Sequence, residues 1–223
     1  MRNINILDIE LGNKKNFVVF AGPCVIEDID STIEIAHTLK ELSKELKFSL
    51  IFKSSYDKAN RTSLNSFRGP GLIEGLNVLQ KIKKETELPV ISDVHAVDEV
   101  DIAAKVLDVI QIPAFLSRQT DILIAAAKSG KVVNLKKAQF MAPYDIKYAV
   151  NKIKSQGNEN IILTERGTCF GYNNLVSDMR SITIMRALGY PIVFDATHSV
   201  QIPSLGGKSG VKVNLLKHWL FHQ

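Results

Sequence analysis

The feature that most restricts what this chain can fold into is a set of seven short apolar, β-branched runs. They are FVVF (17–20), LIFK (50–53), PVIS (89–92), VIQI (109–112), VVNL (132–135), IILT (161–164) and PIVF (191–194). Near-continuous apolarity over so few residues predicts strands buried on both faces, as in a parallel sheet. Between them lie stretches with apolar residues at helical spacing: STIEIAHTLKELSKEL from Ser31, LIEGLNVLQKIKKETE from Leu72 and NLVSDMRSITIMRALG from Asn174, the last closed by Gly189. A βα unit repeated about seven times leads to a (β/α) barrel or to a doubly wound open sheet.

What favours the barrel is the polarity that follows almost every strand. Cys24 follows the first, Lys53 and Lys58 the second, Asp93 and His95 the third and Gln111 the fourth; Lys136 and Lys137 follow the fifth, Glu165 and Arg166 the sixth, Asp195 and His198 the seventh. A barrel points all of these strand ends into one mouth, whereas an open sheet spreads them along an edge. At 223 residues, with no linker or repeat, the chain is read as a single barrel domain over 1–223. The opening INILDIELGNKK predicts a hairpin turning at Gly12, a plug under the barrel. The expected architecture is therefore a (β/α)8 barrel without its eighth strand and last helix, because the tail VKVNLLKHWLFHQ after SLGGKSG is too short for a helix, a strand and a closing helix.

Charge and composition narrow the chemistry. No stretch approaches the roughly 18 apolar residues that a membrane helix needs, and the N-terminus has no leader-like apolar core, so a cytoplasmic protein without membrane contact is expected. Cys24 and Cys169 lie far apart, without the spacing of a disulfide framework or zinc ribbon. The net charge of +5 comes from dispersed lysines rather than a basic stripe, which argues against nucleic acid and for anionic metabolites. Neither a GxGxxG after the first strand nor a GxxxxGK[ST] occurs, which excludes the nicotinamide and P-loop signatures.

Within KSSYDKANRTS (53–63), Lys53, Lys58 and Arg61 are gathered at a strand end with an amide and hydroxyls; phosphates and carboxylates accept charge-assisted hydrogen bonds from such groups. A solvated basic loop is the bland alternative. Cys24 and His198 suit a borderline metal such as zinc or iron, but a small packed thiol and a hydrogen-bonded imidazole fit the same residues. A nucleophilic Cys/His pair is disfavoured without an oxyanion-hole signature. Arg68, in SFRGPG, either binds an anion or caps its loop, and Cys169 is read as a packed small residue.

In this order and spacing, AGPC, KSSYDKANRTS, SFRGPG, SDVH, IQIPAFLSRQTD, VNLKKAQFMAP, LTERGTCFGYNN and FDATHSVQ resemble the 3-deoxy-D-manno-octulosonate 8-phosphate synthases, from about Phe17 to Gly210. The nearest relatives of that group are the 3-deoxy-7-phosphoheptulonate synthases, which use erythrose 4-phosphate and carry a shorter KPRTS-type stretch. The resemblance implies condensation of phosphoenolpyruvate with D-arabinose 5-phosphate and release of phosphate, in the synthesis of the lipopolysaccharide sugar KDO. It implies that Lys53, Lys58, Lys136 and Arg166 hold phosphoenolpyruvate, with Gln111 and the backbone near Ala114 assisting. Asn60, Arg61 and Ser63 would hold the pentose phosphate and Asp93 its hydroxyls, with Arg118 reaching across an interface of a homotetramer.

A Cys at the position of Cys24 marks the metal-dependent members, whose ligands are that Cys, the His matching His198, a Glu on the eighth strand and a later Asp. The implied cofactor is a divalent metal: zinc, iron or manganese. In those members an eighth strand of FIETHP type follows the GGKSG region, whereas residues 211–223 here are atypical and two of the four ligands are not found. The expectation is a chain shortened by a frameshift or an internal stop, with a weakened metal site. An inactive product that at most binds phosphorylated ligands is then the competing reading.

Overall fold

The computed structural model describes residues 1–12, 17–169, 174–202 and 210–211. The chain opens with an antiparallel hairpin, β1 (Ile4–Ile6) and β2 (Ile9–Leu11). Its register, Ile4 opposite Leu11 and Ile6 opposite Ile9, makes Leu7–Asp8 the turn, with Leu7 in left-handed backbone at φ 52°. This corrects the expected turn at Gly12. Gly12 instead serves close approach: at φ +104°, an added Cβ would lie 2.3 Å from the Arg2 carbonyl oxygen.

A parallel sheet follows: β3 (Val18–Ala21), β4 (Ser49–Lys53), β5 (Val90–Asp93), β6 (Val109–Ile112), β7 (Val132–Lys136), β8 (Ile161–Glu165) and, after the small strands described next, β11 (Ile192–Phe194). Strands of this sheet that follow one another in the chain are neighbours in it, every pairing is parallel, and helices α1 (Ile29–Glu45), α2 (Leu72–Thr86), α3 (Val97–Ala103), α4 (Thr120–Lys128) and α5 (Ile146–Lys154) make the five connections from β3 to β8. These are the first seven strands of a (β/α)8 barrel. The seven apolar runs correspond to the seven strands within about one residue. The outermost strands, β3 and β11, are half-buried, whereas β5 to β8 between them are buried throughout.

The stretch from Asn174 departs from the expected single helix. Leu175–Val176 form β10, paired with β9 (Thr168–Cys169), and α6 begins only at Arg180 and ends at Arg186. Asp178 explains the late start: its carboxylate accepts from the Arg180 N–H at 3.0 Å, and its carbonyl accepts from Ser181 N at 2.9 Å. Beyond β11, β12 (Gln201–Ile202) pairs with β13 (Gly210–Val211). Residues 170–173, within the LTERGTCFGYNN motif, 203–209 and 212–223, on which the expectation of a lost eighth strand falls, lie outside the described residues.

Strand alternation divides each strand into two faces. Leu50, Phe52, Val90, Ile110, Ile112, Val133, Leu135, Ile161 and Leu163 meet the helices, among them Leu76, Leu79, Ile82, Leu123 and Ile153. The opposite parity, Ile51, Ile91, Val109, Val132 and Ile162, meets Ile4, Ile6, Ile9 and Leu11 of the hairpin. The hairpin thus floors the barrel, and the inward residues one step further along each strand are left to form its mouth.

Candidate active site

Those next inward residues are Lys53, Asp93, Gln111, Asn134, Lys136, Thr164 and, just past the strands, Arg166 and Asp195. They form a hydrogen-bonded layer. Thr164 Oγ1 donates to Asn134 Oδ1 at 2.6 Å, Asn134 Nδ2 to Gln111 Oε1 at 3.0 Å, and Gln111 Nε2 in turn to Asp93 Oδ1. Asp93 also faces the Lys58 amine at 3.7 Å and accepts from Ser55 Oγ at 3.4 Å, while Lys58 donates to Ser55 at 2.8 Å. Across the mouth, Lys136 Nζ donates to Asp195 Oδ2 at 2.7 Å, and the Arg166 guanidinium donates to Gln201 Oε1 at 3.1 Å.

Electrostatics bind the layer together. Burial would raise the Asp93 carboxyl, but Lys58, Lys53 and Lys136 hold it far below the usual carboxylate range. Burial pushes the Lys53 amine down; Asp93 pulls it up, and the like charges of Lys58 and Lys136 add to the depression. Arg166 is likewise lowered by burial and supported by Asp195 and Glu165. Burial opposes ionisation of Asp195 too, yet Lys136 and the hydrogen bond from His198 keep it ionised well below its ordinary value. The structure therefore brings Lys53, Lys58, Lys136, Arg166, Asp93 and Gln111 into one mouth.

Cys24 reaches the same place because Gly22 lets AGPC run against β4: a Cβ on Gly22 would lie 2.2 Å from the Lys53 carbonyl oxygen. Ile26 N then donates to Ser55 O at 3.0 Å. Cys24 Sγ stands 3.7 Å from His198 Nε2, and His198 Nδ1 is held by Asp195 at 2.9 Å. Desolvation opposes thiolate formation, but the His198 hydrogen bond and the charges of Lys58, His198 and Lys53 bring the Cys24 thiol down to about 6. A thiolate and an imidazole whose far nitrogen rests on a carboxylate fit two positions of a borderline-metal site. Among the described residues, no group of three or more His, Cys, Asp and Glu gathers around such a position.

The other expected residues lie elsewhere. Asn60 and Arg61 are exposed on the loop after Lys58, with Arg61 Nε on the Phe67 carbonyl at 3.0 Å. Ser63 Oγ accepts from Asn65 N at 3.3 Å. Arg68 pairs with Asp57, Nε to Oδ1 at 2.8 Å, so it caps its loop. Ala114 opens a 3₁₀ turn (Ala114–Leu116) beside the mouth, while Arg118 lines a separate cleft of about 280 Å³ with Phe140, Met141, Asp145, Tyr148 and Lys152. His95 joins neither group; its N–H and Tyr56 Oη both donate to Glu99 Oε2, at 2.8 and 2.7 Å. Lys137 and Glu165 have the outward parity and pair with each other at 3.5 Å, which corrects their expected place in the mouth. Sequence reasoning passed over Asn134, Thr164 and Ser55. The first two were signalled by a polar residue in an otherwise apolar run at the parity of Gln111.

A family model described as the DAHP synthetase I family matches residues 2–217. The chain belongs to that family. It is 57% identical over 211 residues to a protein of Geotalea uraniireducens named 2-dehydro-3-deoxyphosphooctonate aldolase, covering 94% of this chain and 78% of the relative. It is 58% identical over 210 residues to one of that name from Geobacter metallireducens, covering 94% and 77%. To one from Syntrophotalea carbinolica it is 55% identical over 206 residues, covering 92% and 74%. The mouth of this DAHP synthetase I family member thus combines four cations, two ionised carboxylates and a depressed thiol at one end of a barrel whose other end is closed by its own hairpin.

Proposed function

We propose that this chain condenses phosphoenolpyruvate with D-arabinose 5-phosphate to give 3-deoxy-D-manno-octulosonate 8-phosphate and inorganic phosphate, a step of KDO synthesis. The observation that carries this reading is the convergence of Lys53, Lys58, Lys136 and Arg166 on one layer with Gln111 and Asp93. The product name carried by the relatives fits it. Three carbons of the enol and five of the aldose make the eight-carbon acid. Carbon 3 of phosphoenolpyruvate attacks the aldehyde, water adds at carbon 2, and the phosphate leaves with its bridging oxygen while the pentose phosphate is kept.

The cations carry the electrostatic burden. Two multiply charged anions repel each other, and fixed ammonium and guanidinium groups in a partly dry mouth offset that repulsion without reorganising. Lys53, Lys58, Lys136 and Arg166 hold the phosphate and carboxylate of phosphoenolpyruvate, with Gln111 and the Ala114 backbone beside them. Asp93, ionised and fixed by Gln111 and Ser55, accepts from sugar hydroxyls. Asn60, Arg61 and Ser63 take the pentose phosphate on the exposed loop.

Cys24 and His198 would hold a divalent metal, zinc, iron or manganese, which when bound would supply Lewis-acid polarisation. Asp195 keeps the His198 ring turned so that Nε2 faces the thiol. The exposed Phe140 and Tyr148 line the Arg118 cleft and suit a subunit interface, which supports the reading of a homotetramer in which Arg118 serves a neighbour's site. No helix among the described residues is long and apolar enough to cross a membrane.

Phosphate release from purified protein of verified mass tests the reading, with each metal added in turn. Release that requires arabinose 5-phosphate supports it; release that requires erythrose 4-phosphate instead, or none with any metal, overturns it. Lys136→Met is expected to lower kcat/KM by about 10²- to 10³-fold, the scale for loss of one preorganised charge-stabilising donor.

A further inference from the structure

Behind the mouth, on the outward face of the strands, lies a buried charge pair. Lys137 is 0% exposed and Glu165 1%, and they stand on adjacent strand ends with the parity opposite to Lys136 and Thr164. One oxygen, Glu165 Oε1, faces the Lys137 amine at 3.5 Å and accepts two main-chain N–H groups, from Arg166 at 3.0 Å and Gly167 at 2.7 Å. The same amine donates to the carbonyls of Ala138 (3.2 Å), Met141 (3.4 Å) and Gly167 (3.4 Å), and to Thr168 Oγ1 at 3.2 Å. It thus ties the loop after β7 to the loop after β8. The first of these loops begins after Lys136 and the second carries Arg166, the two cations on the Asp195 side of the mouth.

A buried ion pair is a poor way to stabilise a core, since apolar residues of similar volume usually do as well or better. What a carboxylate adds here is direction: two N–H groups converging on one oxygen fix the peptide planes at Arg166 and Gly167, and with them the origin of the guanidinium. We propose that Lys137 and Glu165 are a positioning pair that aims Arg166 at the anionic group bound in the mouth. This rests on the reading of the mouth as a phosphoenolpyruvate site.

Calorimetric titration of the chain with phosphoenolpyruvate, together with steady-state kinetics, tests it. Glu165→Ala is expected to weaken phosphoenolpyruvate binding about tenfold while the KM for arabinose 5-phosphate changes less than twofold. Glu165→Gln, whose amide oxygen can still accept both N–H groups, is expected to stay within threefold of the unaltered chain. A purely structural role would lower thermal stability and weaken both substrates alike, and that result overturns the proposal. So does Glu165→Ala with unaltered affinity, or Glu165→Gln as weak as Glu165→Ala. Should Glu165→Ala not melt cooperatively, Glu165→Asp replaces it: the charge stays beside Lys137 but one methylene short of the two N–H groups. The same selective loss is expected, and unaltered affinity in that variant overturns the proposal. An unaltered chain that binds no phosphoenolpyruvate overturns the reading of the mouth and this inference with it, whereas normal binding that Glu165→Ala leaves intact overturns the inference alone.

Discussion

Glu99 shows how one carboxylate organises the segments that follow β4 and β5. Desolvation alone would raise its carboxyl, but the His95 ring at 3.5 Å, the His95 backbone N–H and the buried Tyr56 hydroxyl, all facing Glu99 Oε2, bring it down to about 2. A carboxylate whose folded pKa lies below its unfolded value of about 4.5 contributes stability that is complete above that value and fades as pH falls towards 2. Glu99→Ala leaves a buried hydroxyl and an N–H without their acceptor, an expected cost of about 1–3 kcal/mol at pH 7. Urea melts of both proteins between pH 7 and pH 3 check this: the gap should narrow below about pH 4.5, and a gap constant with pH contradicts the assignment. At this scale the sequence was legible where the charge stood at an inward strand-end position, as at Lys53, Lys136 and Arg166. It misled at Lys137 and Glu165, since consecutive strand-end residues face opposite ways and only one of each pair can enter the mouth.

The hairpin formed by β1 and β2 is the element on which the barrel floor depends. Ile4 and Ile6 are each 2% exposed and pack against Ile51, Ile91, Val109, Val132 and Ile162 from five different strands. Ile6→Ala is therefore expected to cost about 2–5 kcal/mol, as truncation of a buried aliphatic side chain does when its surroundings cannot collapse into the gap. Denaturant unfolding measures this, and a cost below about 1 kcal/mol would mean that the hairpin is only loosely seated. The seven strands and the first two long helices could be read from periodicity because each run is apolar on both sheet faces or along one helix stripe. The hairpin turn could not. Gly12 carried the stronger local signal, but pairing of Ile4 and Ile6 with Leu11 and Ile9 places a leucine in the turn, at φ 52°. The stretch from Asn174 was misread for a similar reason: its helical spacing is real only after Asp178, and the residues before it pair with β9.

At the scale of the whole molecule, the mouth holds more positive charge than its own carboxylates neutralise. Lys53, Lys58, Lys136 and Arg166 face Asp93 and Asp195, with a Cys24 thiol brought down to about 6 beside them. Burial and like charge already push the Lys53 amine down, so the free protein bears the cost of holding that cation there and a bound anion relieves it. Phosphoenolpyruvate should accordingly raise the melting temperature. At a hundred times its Kd, mass action contributes about 2.7 kcal/mol, which for a chain of this size corresponds to about 5–10 °C. Partly buried charges are screened less than surface ones, so most of the shift should persist at 0.15 M salt. Lys136→Met should lose most of it and should also melt below the unaltered chain without ligand, because the buried Asp195 carboxylate loses its ion-pair partner. Differential scanning fluorimetry reads both quantities. A melting temperature indifferent to phosphoenolpyruvate would mean that the four cations are satisfied within the fold itself, and would leave the barrel without the anion that its mouth is built to receive.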